Sequence, residues 1–243
     1  MADGAIVVGV GASAGLGAAL CRRFGREGLH VFPAGRTAER IEAVADEVRG
    51  AGGAATAVAT DTTRPGDVAA LFDRVERETG APPRVVLYNA GNNRFSALAE
   101  MSDDFFEDLW RLCCFGGFLV ARECARRLPD AGRGTVIFTG ATASVRARPP
   151  FTAFASAKAA LRALAAGMAR ELGPKGIHVG HVIVDGIIDG EQVASRFPQL
   201  IEERGPDGAL VPDDMADAFW ALHAQPRSAW SFELDLRPWC EPF

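Results

Sequence analysis

A glycine-rich turn, Gly9-Val10-Gly11-Ala12-Ser13-Ala14-Gly15-Leu16-Gly17, constrains this chain more than any other stretch. The apolar run before it, Ala5-Ile6-Val7-Val8, reads as a buried β-strand. The segment after it, Ala18-Ala19-Leu20-Cys21-Arg22-Arg23-Phe24, reads as a helix. Glycines between strand and helix leave the backbone bare. Phosphates can then approach amide N–H groups at the helix N-terminus, where the helix dipole favours negative charge. A dinucleotide pyrophosphate is the simplest ligand for such a turn. Tight packing alone can also call for glycines, so the strand before and the helix after carry the argument.

Strand and helix patterns alternate along the rest of the chain, which predicts a parallel sheet covered by helices. His30 to Ala34 reads as a second strand, with Pro33 placed at its C-terminal end because proline lacks an N–H. Thr37 is the expected N-cap of a helix to about Arg49. Ala54 to Ala59 reads as a strand, Asp67 to Glu78 as a helix, and Val85 to Tyr88 as a strand. One long helix is expected from Asp103 to Leu128, a strand over Thr135–Thr139, and a helix from about Thr152 to Leu172. His178 to Val184 is a further strand. On it, His178 and His181 point to opposite faces, so no metal site is expected. Asp213 to Ala224 reads as a last helix and Trp230 to Leu236 as a last strand. The aromatic tail from Pro238 to Phe243 is suited to docking on a neighbouring subunit or a rim.

Three motifs together resemble the short-chain dehydrogenase/reductase family. Gly11, Gly15 and Gly17 give its G-x-x-x-G-x-G spacing. Asn89-Ala90-Gly91 is similar to its N-A-G segment, and Phe154-Ala155-Ser156-Ala157-Lys158 to its Y-x-x-x-K segment without the Tyr. The resemblance covers nearly the whole chain. It implies one dinucleotide-binding domain over residues 1–243, a Rossmann-like doubly wound α/β sheet of about seven parallel strands with helices on both faces. It implies a substrate-covering segment over about 186–212. The implied cofactor contacts are Gly11, Ser13, Ala14, Gly15, Leu16, Gly17, Asp61 on the adenine, Asn89, Ala90, Gly91, Lys158, Gly186 and Ile188. A turn-capping role for Asp61 competes with the adenine contact. A helix-paired homo-oligomer, dimer or tetramer, is implied as well.

Arg36 follows the second strand where dinucleotide folds select the cofactor. No acid stands there, and a guanidinium fork suits a 2′-phosphate, so NADP(H) is favoured, with NAD(H) as the alternative. The family's proton donor is replaced by Phe154, and counting back at its spacing puts Ala141 at its catalytic Ser. Cys113 takes the place of its supporting Asn and is expected to be a small buried hydrophobe. Lys158 alone survives in register. A general acid contributes ~10²–10⁴-fold and one oxyanion donor roughly 10²–10³-fold. Thr142 and Ser144 are the nearest hydroxyls to the lost Ser, and Thr142 is the better candidate.

Two functions follow. The first is an NADP(H)-dependent oxidoreductase acting on a small-molecule carbonyl or alcohol through an altered site. The second is a dinucleotide-binding protein without hydride transfer, either regulatory or a lyase or isomerase. Composition bounds both. The 243 residues carry a net charge of −5, so no nucleic-acid or membrane partner is expected. Among five cysteines no C-x-x-C occurs, so neither a zinc site nor a disulfide framework is suggested. A first strand beginning near Ala5 leaves no room for a signal peptide, and a cytoplasmic location is expected.

Overall fold

The computed structural model describes residues 2–242. Its element order is β1 (Gly4–Val8), α1 (Leu16–Arg26), β2 (His30–Gly35), α2 (Ala38–Gly50), β3 (Ala54–Ala55), β4 (Val58–Ala59), α3 (Pro65–Thr79) and β5 (Val85–Tyr88). Then come α4 (Asp103–Trp110), α5 (Gly116–Ala131), β6 (Gly134–Thr139), α6 (Thr152–Leu172), β7 (Ile177–Val184), α7 (Glu191–Arg196), α8 (Pro198–Glu202), α9 (Pro212–His223) and β8 (Glu233–Leu236). The strands lie in the order β3-β2-β1-β5-β6-β7-β8, with β4 also on β2, and all pairings are parallel. The chain builds outward from β1 on one side, then crosses to build from β5 on the other. The switch point therefore lies between β1 and β5, where ligands of such sheets bind at the carboxyl edge.

Side-chain alternation splits the core into two layers. Ala5 and Val7 join Leu20, Phe24, Val44 and Phe219, from α1, α2 and α9. Ile6 and Val8 join Leu71, Phe72, Leu119 and Leu161, from α3, α5 and α6. Both faces of a parallel sheet are covered, so its strands read as continuous apolar runs.

Four expectations are corrected. Pro33 is not at the end of β2 but inside it, opposite Val7. The carbonyls of Val31 and Gly35 accept from Thr56 and Thr60, so the nitrogen of Pro33 points the same way. It has no hydrogen to give there, and the neighbouring run breaks into β3 and β4 at that place. The strand expected over Ala54–Ala59 is thus two short pairs. Thr37 holds the N-cap position of α2, but its side chain makes no capping bond. The long helix from Asp103 is interrupted by a π-turn at Arg111–Phe115, and α5 then runs on to Ala131. The Tyr88 hydroxyl donates to the Leu112 carbonyl at 2.5 Å, tying that turn to β5. A Cβ on Gly117 would come within 2.5 Å of Leu161, so this glycine lets α5 close on α6.

The last strand is shorter than expected. The ordered strand is only Glu233–Leu236, and the tail folds on its own molecule. Pro238 packs on Gly186, and Arg204 pairs with Glu241. Phe243 lies outside the described residues. No helix among the described residues is long and apolar enough to cross a membrane.

Candidate active site

The glycine turn occupies the carboxyl edge of β1, and its glycines do different work. Gly9 has φ +84°, and a Cβ there would meet Ala90 N at 2.5 Å. A Cβ on Gly17 would lie 2.9 Å from Gly9 O and 3.0 Å from Val10 Cα, so Gly17 permits α1 to pack on the strand. A Cβ on Gly11 would meet nothing within 4 Å. Packing therefore leaves Gly11 unexplained, whereas a phosphate drawn to the turn would need that space. Gly15 N-caps α1 without any side-chain cap, leaving the helix's first N–H groups to a ligand. The Gly15 amide itself closes on Ala12 O at 3.0 Å. Ser13 and Ala14 are exposed and Leu16 is buried, and Arg22 holds the Ser13 carbonyl at 3.0 Å.

The edge of β5 supports the turn. The Asn89 amide Nδ2 donates to Gly9 O at 3.5 Å, and Ala90 packs beneath Gly9. Arg36 is exposed just beyond β2. Asp61 lies near enough to feel its charge. Burial opposes ionisation of Asp61, but hydrogen bonds from Thr63 and the charges of Arg36 and Arg64 outweigh it and hold the carboxyl below its ordinary value. Asp61 Oδ1 accepts from Thr63 N at 2.9 Å and Thr63 Oγ1 at 2.8 Å. It therefore orders its own turn.

Lys158 projects from α6 into the same edge and is buried, at 4% exposure. Its Nζ donates to Thr139 O at 2.8 Å and lies 5.7 Å from the Phe154 ring centroid. Burial depresses the Lys158 pKa, and neighbouring Cys113 opposes the shift. Gly91, Cys113 and Lys158 converge: a Cβ on Gly91 would lie 3.2 Å from the Lys158 amine and 3.8 Å from the Cys113 sulfur. Cys113 is fully buried in a small cluster with Leu109, Ala153 and Phe154. It fills the expected hydrophobic role, yet it also touches the lysine's surroundings.

The turn after β6 carries Ala141, Thr142 and Ser144. Ser144 is buried, and its Oγ accepts from Ala141 N at 3.0 Å, so this hydroxyl closes its own turn. Thr142 is only partly buried, and its hydroxyl donates to Asp185 at the edge of β7. Asp185 is buried, and its Oδ2 lies 3.0 Å from Arg237 while its Oδ1 lies 3.8 Å from Arg146. From the sequence, Asp185 stands only where the family has the proline of a P-G turn, and nothing there indicates these contacts. Its only signal was an acid directly after a buried strand, and the arginines that complete its surroundings, Arg146 and Arg237, are remote in sequence.

Beyond β7, a Cβ on Gly190 would approach Ala14 O at 3.2 Å, so this segment lies against the glycine turn. Ile188 bridges to Leu210. Gly186, implied as a cofactor contact, packs against Pro238. His178 and His181 make separate contacts, with Ser231 O at 2.8 Å and Glu233 at 3.1 Å.

An open doubly wound sheet with a glycine turn at its switch point and a buried lysine on the same edge has the architecture of dinucleotide-binding α/β proteins. The chain belongs to the short-chain dehydrogenase/reductase family: the family model for short chain dehydrogenases matches residues 5–200. It is 32% identical over 212 residues to an uncharacterized oxidoreductase, YuxG, of Bacillus subtilis. That alignment takes in 86% of this chain and 30% of the relative, so this chain spans less than a third of that protein's length. A short-chain dehydrogenase from Rhodopseudomonas palustris superposes with a TM-score of 0.83 at 36% identity, covering 98% of this chain and 99% of that one. A metagenomic short-chain oxidoreductase in complex with NADP gives a TM-score of 0.82 at 27% identity, over 97% and 96% of the two chains.

Proposed function

We propose that the protein is an NADP(H)-dependent oxidoreductase that interconverts a small-molecule alcohol and carbonyl, with Thr142 handling the proton in place of a tyrosine. The observation that carries this reading is that a buried amine from α6 and a hydroxyl from the turn after β6 both stand at the carboxyl edge of β6. Lys158 reaches Thr139 O at 2.8 Å, and Thr142 follows in the next turn. Gly11 and the uncapped start of α1 would hold the pyrophosphate, and Arg36 the 2′-phosphate. Lys158 would hold the nicotinamide ribose. When bound, the dinucleotide supplies or accepts a hydride. The side chains of Phe154 and Ala141 offer no proton and no hydrogen bond, so they would shape the pocket. Asn92, Asn93 and Arg94 would offer polar groups to a substrate at the mouth of the site, beside Phe95 packed on Phe151 at 5.6 Å.

Exposed Phe106, Trp110 and Phe118 on α4 and α5 support a helix-paired homo-oligomer. Sedimentation should then give a multiple of the chain mass.

The test is titration of NADPH and NADH, followed by steady-state assays with a panel of alcohols and carbonyls. The expected result is tighter NADPH binding and turnover with at least one pair. Dinucleotide binding without turnover across the panel would favour the non-redox reading, which the missing Tyr and Ser hydroxyls support.

A further inference from the structure

The polarity of one hydrogen bond says which form of substrate the site receives. Thr142 has a single hydroxyl hydrogen, and it points to Asp185 Oδ1. Asp185 is fixed from several sides. Its N–H donates to Leu236 O at 2.8 Å, Arg237 lies 3.0 Å from Oδ2, and Arg146 lies 3.8 Å from Oδ1. Arg237 also pairs with Asp235 at 2.7 Å. A carboxylate has no hydrogen to return. Thr142 Oγ1, on a residue that is only partly buried, therefore has only lone pairs left for a further partner.

We infer that Asp185 is a positioning residue that makes Thr142 a hydrogen-bond acceptor, so that the site binds its substrate as an alcohol and passes the alcohol's proton to Asp185. The inference rests on the oxidoreductase reading for its chemical step. In that step the alcohol O–H bond breaks and its proton joins Thr142 Oγ1, while the Thr142 hydrogen moves to Asp185. The adjacent C–H bond breaks with its electron pair, which leaves as hydride to the oxidised dinucleotide. The C=O bond forms, and Asp185 later returns its proton to solvent. Carbonyl reduction retraces this path and requires Asp185 to be protonated first. This polarity refines the proton-handling role proposed for Thr142: it is a donor to Asp185 and an acceptor to the ligand.

The experiment separates binding from turnover. The full chain is loaded with a tetrahydronicotinamide analogue of NADPH, which transfers no hydride. Calorimetry then compares 1-phenylethanol with acetophenone, and two aliphatic alcohol–ketone pairs. Aromatic probes suit the Phe95–Phe151 mouth. Wild type should prefer each alcohol by roughly fivefold, the worth of one net hydrogen bond. Asp185→Asn can donate its amide to Thr142, which frees the threonine hydrogen, and the preference should vanish with nucleotide affinity unchanged. Asp185→Glu should restore part of it. If Asp185→Asn loses nucleotide binding, Thr142→Val serves instead, since it removes the acceptor and leaves the Asp185–arginine contacts. In turnover, Asp185→Asn should lower kcat for alcohol oxidation while KM for the cofactor holds.

A wild type that shows no alcohol preference, or an Asp185→Asn variant that keeps both preference and kcat, overturns the inference. A wild type that keeps the preference but transfers no hydride instead overturns the oxidoreductase reading and its proton step, and supports the acceptor polarity.

Discussion

The same substitution at two glycines of the nucleotide turn should have opposite effects. At Gly17 a Cβ would lie 2.9 Å from Gly9 O and 3.0 Å from Val10 Cα. These are backbone atoms held by the sheet, so they cannot swing aside. Overpacking of this kind costs about 1–3 kcal/mol, and the branched side chain of Gly17→Val puts it toward the upper end. At ~2–4 °C per kcal/mol for a domain of this size, the melting temperature should fall by roughly 6–12 °C. At Gly11 a Cβ meets nothing within 4 Å, so Gly11→Val should leave stability within about 0.5 kcal/mol of wild type. Its side chain would fill the phosphate approach and remove about two charge-assisted hydrogen bonds of roughly 1.5–3 kcal/mol each. A loss of ~3 kcal/mol corresponds to NADPH affinity lower by more than about a hundredfold. Thermal melts and NADPH fluorescence titrations on both variants read the two effects. Wild-type NADPH affinity in Gly11→Val would refute the phosphate site, and a wild-type melt in Gly17→Val would refute the packing argument. Gly15 is a poorer probe, because a Cβ there lies 3.1 Å from Ala12 O and disturbs the turn itself.

Three further outcomes are expected. Arg36→Asp should erase or reverse the preference for NADPH over NADH in paired titrations; a wild type that binds NADH as well as NADPH would sink the assignment of Arg36. Phe154→Tyr combined with Ala141→Ser should raise NADPH-dependent carbonyl reduction, since it returns a proton donor next to Lys158 and a hydroxyl to the β6 edge; an unchanged rate at matched cofactor occupancy would count against that register. Burial pushes the pKa of His181 down to about 4 against the opposing hydrogen bond to Glu233. The unfolded chain then binds a proton that the folded chain refuses, so stability should fall as pH drops from about 6.5 toward 4, by up to about 3 kcal/mol for this residue. Denaturant melts at several pH values would show it, and His181→Asn should flatten the slope; an equal slope in the variant would refute the buried-histidine account.

The sequence by itself determined the parts whose physics is local. Apolar runs, helical periodicity and the glycine turn gave the α/β alternation, because strand burial and a bare phosphate loop leave their mark on neighbouring residues. The α6 helix reads at its observed ends, Thr152 and Leu172, but Gly173 stays right-handed, the chain turns on through Lys175, and Gly176 at φ +84° takes the left-handed position. Phe154 and Lys158 were placed on one face by their spacing alone. The tertiary structure decided what depends on partners far along the chain. Pro33 reads locally as a strand end, but its missing N–H is tolerated inside β2 because the adjoining run breaks beside it. Gly11 and Gly17 look alike in the motif, and only the backbone approach of Gly9 and Val10 marks Gly17 as a packing glycine while Gly11 stays open. Thr142 and Asp185 stand 43 positions apart, and Asp185 meets Arg237 from beyond β8. No periodicity links them. Adjacent parallel strands bring their carboxyl ends together, and that juxtaposition turns a threonine hydroxyl and an acid at a strand end into one hydrogen-bonded group with a fixed polarity.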